Sequence, residues 1–179
     1  MISRFKHLLA SLLLLPLSSW MIGSSIYSNN TYYNQSYQLN RDAVNLIHRN
    51  QLSSAIQVLK RANSMNRNSA EILGNLGYAY YLSGDLMRAQ KTLYASLQHN
   101  PKRGASWNNL GLVFAAQNKV QQAIKCFVNY WNYSTNKNAA TNQFYEWEEN
   151  QPGTPLDSAA KGARPVSYTH LTLPTKRIV

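Results

Sequence analysis

Between residues 70 and 137 apolar residues recur at helical spacing, and the whole arrangement returns after 34 positions. Leu73, Leu76, Gly77 and Tyr80 fall on one face of a first helix, and Leu86, Ala89, Leu93 and Leu97 on one face of a second. A step of 34 carries Leu73 onto Trp107, Leu76 onto Leu110, Gly77 onto Gly111, Tyr80 onto Phe114, Ala89 onto Ala123 and Leu93 onto Phe127. A step back finds a weaker copy in Leu39, Ala43, Leu46, Ala55 and Leu59. Asn50, Gly84 and Asn118 hold one equivalent position between the two helices of each copy. Gly and Asn tolerate the left-handed backbone that ends a helix, so each copy predicts an antiparallel helix pair with a tight turn. Gly77 and Gly111, facing Ala89 and Ala123, let the paired helices approach closely, and Pro101 stops the second helix of the middle copy.

This pattern resembles the tetratricopeptide repeat, which runs W-x2-L-G-x2-Y, then A-x3-F, then Pro, with the same period. The resemblance implies an all-α fold: an α-solenoid of about three helix-turn-helix repeats closed by a C-terminal capping helix. The repeats divide as 36–69, 70–103 and 104–137. The first departs from the family pattern, with Asp42 where leucine is expected and Arg67 in place of the terminal proline. Terminal repeats are commonly atypical because one face meets water. Its first helix is therefore the weakest of the six in the sequence.

Outside the repeats the chain changes character. Arg4 and Lys6 precede an apolar run from Leu8 to Leu17, followed by Gly23, Ser24 and Ser25. Residues 1–25 read as an export signal cut before Ile26, with an uncleaved N-terminal anchor as the alternative. Residues 26–35, rich in Asn, Ser and Tyr, show no period and read as a loosely ordered linker. Residues 138–150 form the expected capping helix, with Phe144, Tyr145 and Trp147 as anchors and Glu146, Glu148 and Glu149 as a solvated side. Pro152, Gly153 and Pro155 end it, and 151–165 reads as disordered. Residues 166–179 resemble the translation of a sequencing adapter and are set aside.

Composition narrows the chemistry. The formal charge is +11, and leaving out Arg4, Lys6, Lys176 and Arg177 gives 14 basic against 7 acidic residues, or +7. The basic residues are scattered along both clear repeats, which fits a solvated surface better than a continuous nucleic-acid stripe. The single cysteine, Cys126, permits no intrachain disulfide and reads as a small buried residue. His48 and His99 stand alone, and no nucleophile, phosphate-binding or metal motif appears, so no catalytic residue, cofactor or metal is expected.

The resemblance implies binding instead. In such stacks the first helices line a concave groove that takes an extended or helical peptide. Carried over by position, the groove is Asn40, Val44 and Ile47, then Gly74, Tyr78 and Tyr81, then Asn108, Leu112 and Ala115. Asn75 and Asn109 stand just before the Leu-Gly pair, where the family often places Asn. They would bond a peptide backbone or else brace the helix interface. The basic clamp of some family members is not reproduced; Arg41 and His48 are its only candidates. The expected protein is an exported, periplasmic or secreted scaffold. Its partner is a protein or peptide, with no nucleic acid, and with a membrane only if the N-terminal segment stays uncleaved. It would assist a cell-envelope assembly such as a pilus or secretion system. The alternatives are a regulatory fragment of a larger enzyme and a nucleic-acid-binding repeat protein.

Overall fold

A computed structural model describes residues 17–165, with side chains from 31 onward. The described chain is helical throughout: α1 (Leu17–His48), α2 (Leu52–Met65), α3 (Ala70–Leu82), α4 (Leu86–His99), α5 (Gly104–Ala116), α6 (Val120–Tyr133), α7 (Lys137–Asn150) and α8 (Pro155–Ala163). Within each of the first three pairs the two helices pack tightly together, and each second helix then packs against the first helix of the next pair. That is the expected solenoid.

The turns follow the 34-residue period. Asn50 has φ 57°, Gly84 φ 82° and Asn118 φ 58°, three left-handed residues at the one equivalent position. At the helix crossings glycine is required by space. A Cβ on Gly77 would lie 2.6 Å from Leu93 Cγ, and one on Gly111 would lie 2.3 Å from Phe127 Cε1. Leu93 and Phe127 are fully buried, as are Ala89 and Ala123. Burying each large side chain stabilises the stack by roughly 1.5–3 kcal/mol. Pro101 follows Asn100, the residue capping α4, and its carbonyl accepts a 2.8 Å bond from Trp107 Nε1.

Two stretches depart from expectation. Residues 26–35, read as linker, lie inside α1. The helix of repeat one propagates backward because no proline interrupts it. Tyr33 and Tyr37, one turn apart, meet as tilted rings with centroids at 4.6 Å and planes at 55°, and Ser36 Oγ donates to the Tyr33 carbonyl at 2.7 Å. The buried stripe of α1 is Ser36, Asn40, Ala43 and Ile47, an (i, i+4, i+7, i+11) series half made of polar residues. That polarity is why the helix looked weak, and Asp42 is harmless there because it is exposed and accepts from Gln38 Nε2 at 2.9 Å. The apolar run as far as Pro16, the greater part of the expected signal or anchor, lies outside the described residues, as do 166–179. α1 passes through the expected cleavage point. Among the described residues no helix is long and apolar enough to cross a membrane.

The second departure is α8, in the stretch read as disordered. Thr154 caps it by accepting from the Asp157 amide, Pro155 stands at its first turn, and Gly153, at φ 77°, donates its amide to Asp157 Oδ2 at 2.8 Å. Proline at a helix start is pre-set for the helix, so Pro155 opens an element here. Ala159, Ala160 and Ala163 are buried, and Gly162 sits against Ile124. These small residues bring α8 close to α6, α7 and α5. The stack is thus closed by a hairpin of α7 and α8. In that hairpin it is the second helix, α8, that packs mainly against α6, the second helix of the preceding repeat.

α7 contributes the aromatic half of the closure. Phe144 is fully buried, 5.9 Å from the Phe127 ring, and Trp147 lies 4.9 Å from it. Glu148 is not on a solvated side as expected: it is half-buried and pairs with Arg164 Nε at 3.0 Å. The Arg164 guanidinium also covers the Tyr145 ring at 4.7 Å, which ties the end of α8 to α7.

Candidate functional site

The second helices cover one side of α1, α3 and α5, through the Gly77 and Gly111 crossings. The residues predicted to line the groove lie elsewhere on these three helices. They divide into two sets.

The first set is consumed inside the protein. Asn40, at 1% exposure, is buried between α1 and α3. Its Nδ2 donates to Glu71 Oε1 at 2.8 Å, and its Oδ1 accepts from Asn75 Nδ2 at 2.9 Å. Both polar atoms of the Asn40 amide are thus engaged, its burial keeps it from a ligand, and Asn75 has spent a donor on it. Of the two roles open to these asparagines, bracing the interface is the one their bonds show. Gly74, Ile47 and Ala115 are likewise buried.

The second set remains reachable. Val44, Tyr78, Tyr81, Asn108, Asn109 and Leu112 are half-buried. Tyr78 and Tyr81 face each other with ring centroids at 6.2 Å and planes at 21°, and burial pushes the Tyr81 hydroxyl above the usual phenol range. Such half-covered rings offer contact area at small entropic cost. Asn108 Oδ1 is buried and has no hydrogen-bond partner. The weak clamp candidates do not converge: Arg41 donates to Gln38 on its own helix, and His48 is exposed at the end of α1.

Arg103, which no sequence reading singled out, lies beside Gly74. Its Nε comes within 3.0 Å of where a Cβ at 74 would be, and Ser106 Oγ within 2.8 Å. Below them Ser96 Oγ donates to the Ala70 carbonyl at 2.6 Å and contacts Ser106 Oγ at 2.7 Å. Burial pulls the Arg103 basicity down, and the Glu71 carboxylate nearby partly offsets this. Arg103 nevertheless makes no ion pair, and its Nε has no acceptor. A signal was present in the sequence: glycine at 74 leaves a gap in a position otherwise filled by a side chain.

For catalysis the described residues offer little. No three His, Cys, Asp or Glu among them gather to hold a metal. Burial pushes the Cys126 thiol up to about 12, so it stays protonated and unreactive.

The fold and these faces define a helical-repeat solenoid with a partly apolar, partly polar first-helix surface. A family model described as the tetratricopeptide repeat matches residues 46–110, from the end of α1 into α5. No curated protein matches the chain in sequence. Solved structures match in fold. The first TPR domain of human RPAP3 is 15% identical, with a TM-score of 0.60, covering 72% of this chain and 98% of its own. The Sgt2 TPR domain of Aspergillus fumigatus is 21% identical, with a TM-score of 0.58 and coverages of 73% and 85%. The Yersinia enterocolitica type III secretion chaperone SycD, in complex with a peptide of the translocator YopD, is 13% identical, with a TM-score of 0.56 and coverages of 71% and 90%.

Proposed function

We propose that this chain is an exported scaffold whose first-helix groove binds a peptide segment of a partner protein during assembly of a cell-envelope complex. One observation carries the binding reading. Tyr78, Tyr81 and Leu112 are half-buried on the first helices, while Asn40, Asn75 and Glu71 are engaged with one another across α1 and α3. Apolar and aromatic area left open on a rigid scaffold is what a peptide ligand uses. The fold match to a secretion chaperone holding a translocator peptide supports the same reading. Export rests on the basic start and the apolar run at the N-terminus of the sequence. The periplasmic setting and the pilus or secretion role extend that argument.

The test is site-specific photo-crosslinking in cells. A photoreactive residue at Leu112 or at Tyr78 is expected to trap one common partner, and one at the exposed Lys60 of α2 is not. Equal capture at all three positions would refute a groove. Cell fractionation checks export; a protein found only in the cytoplasm would refute that part.

A further inference from the structure

Arg103 is a half-buried cation without an ion-pair partner. Its neighbours explain how it came to be so. Gly74 has no side chain, and the guanidinium uses the space. Ser96 Oγ donates to the Ala70 carbonyl and accepts from Ser106 Oγ, and neither hydroxyl bonds Arg103 Nε. Glu71 is near enough to raise its basicity, but Glu71 Oε1 accepts from Asn40 instead. Arg103 Nε is sealed from water without an acceptor. A guanidinium in this setting is costly until a carboxylate answers it. Its Nη groups are the atoms left to receive one, since only Nε is sealed. Further along α5, Asn108 has a buried Oδ1 without a partner.

We propose that Arg103 selects the ligand: it takes the carboxylate of an Asp or Glu side chain in the peptide bound along the first helices. A side chain is favoured over a terminal carboxylate because a clamp would need a second cation beside Arg103, and Arg41, the candidate from the sequence, is engaged with Gln38. Glu71 then acts as the competitor that keeps the empty groove from attracting every acidic segment. This inference rests on the peptide-binding reading above.

The full chain is panned against a random dodecapeptide library displayed on phage, with each peptide fused at its C-terminal end so that no free terminal carboxylate is present. Wild type is expected to enrich Asp or Glu at one register, and Arg103→Gln to lose that enrichment while Arg103→Lys keeps part of it. With a selected peptide, replacing its acidic residue by the amide should weaken wild-type binding about tenfold and leave Arg103→Gln unchanged. Glu71→Gln should tighten binding of the same peptide. A melting curve for each variant confirms that it is folded. Selected peptides without acidic enrichment, or with enrichment that survives Arg103→Gln, overturn this inference alone. A wild-type pool that enriches nothing overturns the peptide-binding reading with it.

Discussion

Gly111→Ala is the sharpest probe of the stack, because its cost can be worked from distances. The added Cβ would lie 2.3, 2.6 and 2.9 Å from Cε1, Cδ1 and Cζ of Phe127. The nearest of these is over ~1 Å inside an ordinary carbon–carbon contact of ~3.5 Å. Phe127 cannot retreat, being fully buried with Trp147 at 4.9 Å and Phe144 at 5.9 Å. Overpacking costs about 1–3 kcal/mol, and the upper end applies to an aromatic ring held on its far side. Replacing glycine in a helix returns about 1 kcal/mol. The net is about 2 kcal/mol of lost stability, which for a chain of this size lowers the melting temperature by roughly 4–8 °C. Far-ultraviolet circular dichroism against temperature and urea reads it directly. Trimming the ring should rescue it: Gly111→Ala with Phe127→Leu should be less destabilised than the two single changes added. A Gly111→Ala protein melting at or above wild type would refute the crossing. Gly84→Ala makes the contrast, since nothing lies within 4 Å there but φ is 82°. It should lose about 1–2 kcal/mol through the backbone alone, and no neighbouring trim should restore it.

Asn40→Ala should cost about 1–3 kcal/mol, because it strands Asn75 and Glu71. Asn109→Ala, half-buried, should leave the melting temperature nearly unchanged and weaken partner capture; urea titration and cross-linking yield separate the two effects. Iodoacetamide at mildly alkaline pH should not label Cys126 in the native protein and should label it promptly in urea, because burial holds the thiol up to about 12. The Lys161 bond, and then the Gly153 amide, hold Asp157 below the usual carboxylate range. Its contribution to the docking of α8 is therefore present above the ordinary carboxylate pKa and fades as pH falls through the depressed value. Limited proteolysis around residues 151–154 should accelerate on acidification, and Asp157→Asn should show that faster cleavage already at neutral pH.

The parts of the fold that were legible in the sequence are those fixed by local geometry. The period of 34 places Asn50, Gly84 and Asn118 in one turn conformation, and positive φ follows from what Gly and Asn tolerate. Likewise the close crossings at Gly77 and Gly111 were legible from spacing, although the atoms nearest to them belong to Leu93 and Phe127 rather than to the expected Ala89 and Ala123. Residues 26–35 were misread because Ser, Asn and Tyr hide a helix whose buried stripe is half polar. Residues 151–165 read as disordered only while proline and glycine count as breakers alone. Thr154, Pro155 and Asp157 together spell a helix start, with cap, first turn and acidic first-turn residue in order.

The chain alone thus determined three stacked hairpins, their turns and their close crossings, since each depends on residues a fixed number of steps apart. It did not determine which polar groups would meet across helices. Asn40 became structural only when α3 brought Glu71 and Asn75 to it, and Arg103 became a bare cation only when α5 laid it over Gly74. Those meetings join residues about 30 apart along the chain, where spacing fixes a face but not the neighbour that covers it. The same holds for α8, whose small residues leave room for a neighbour without naming it. Packing chose α6, and with it the way the stack is closed.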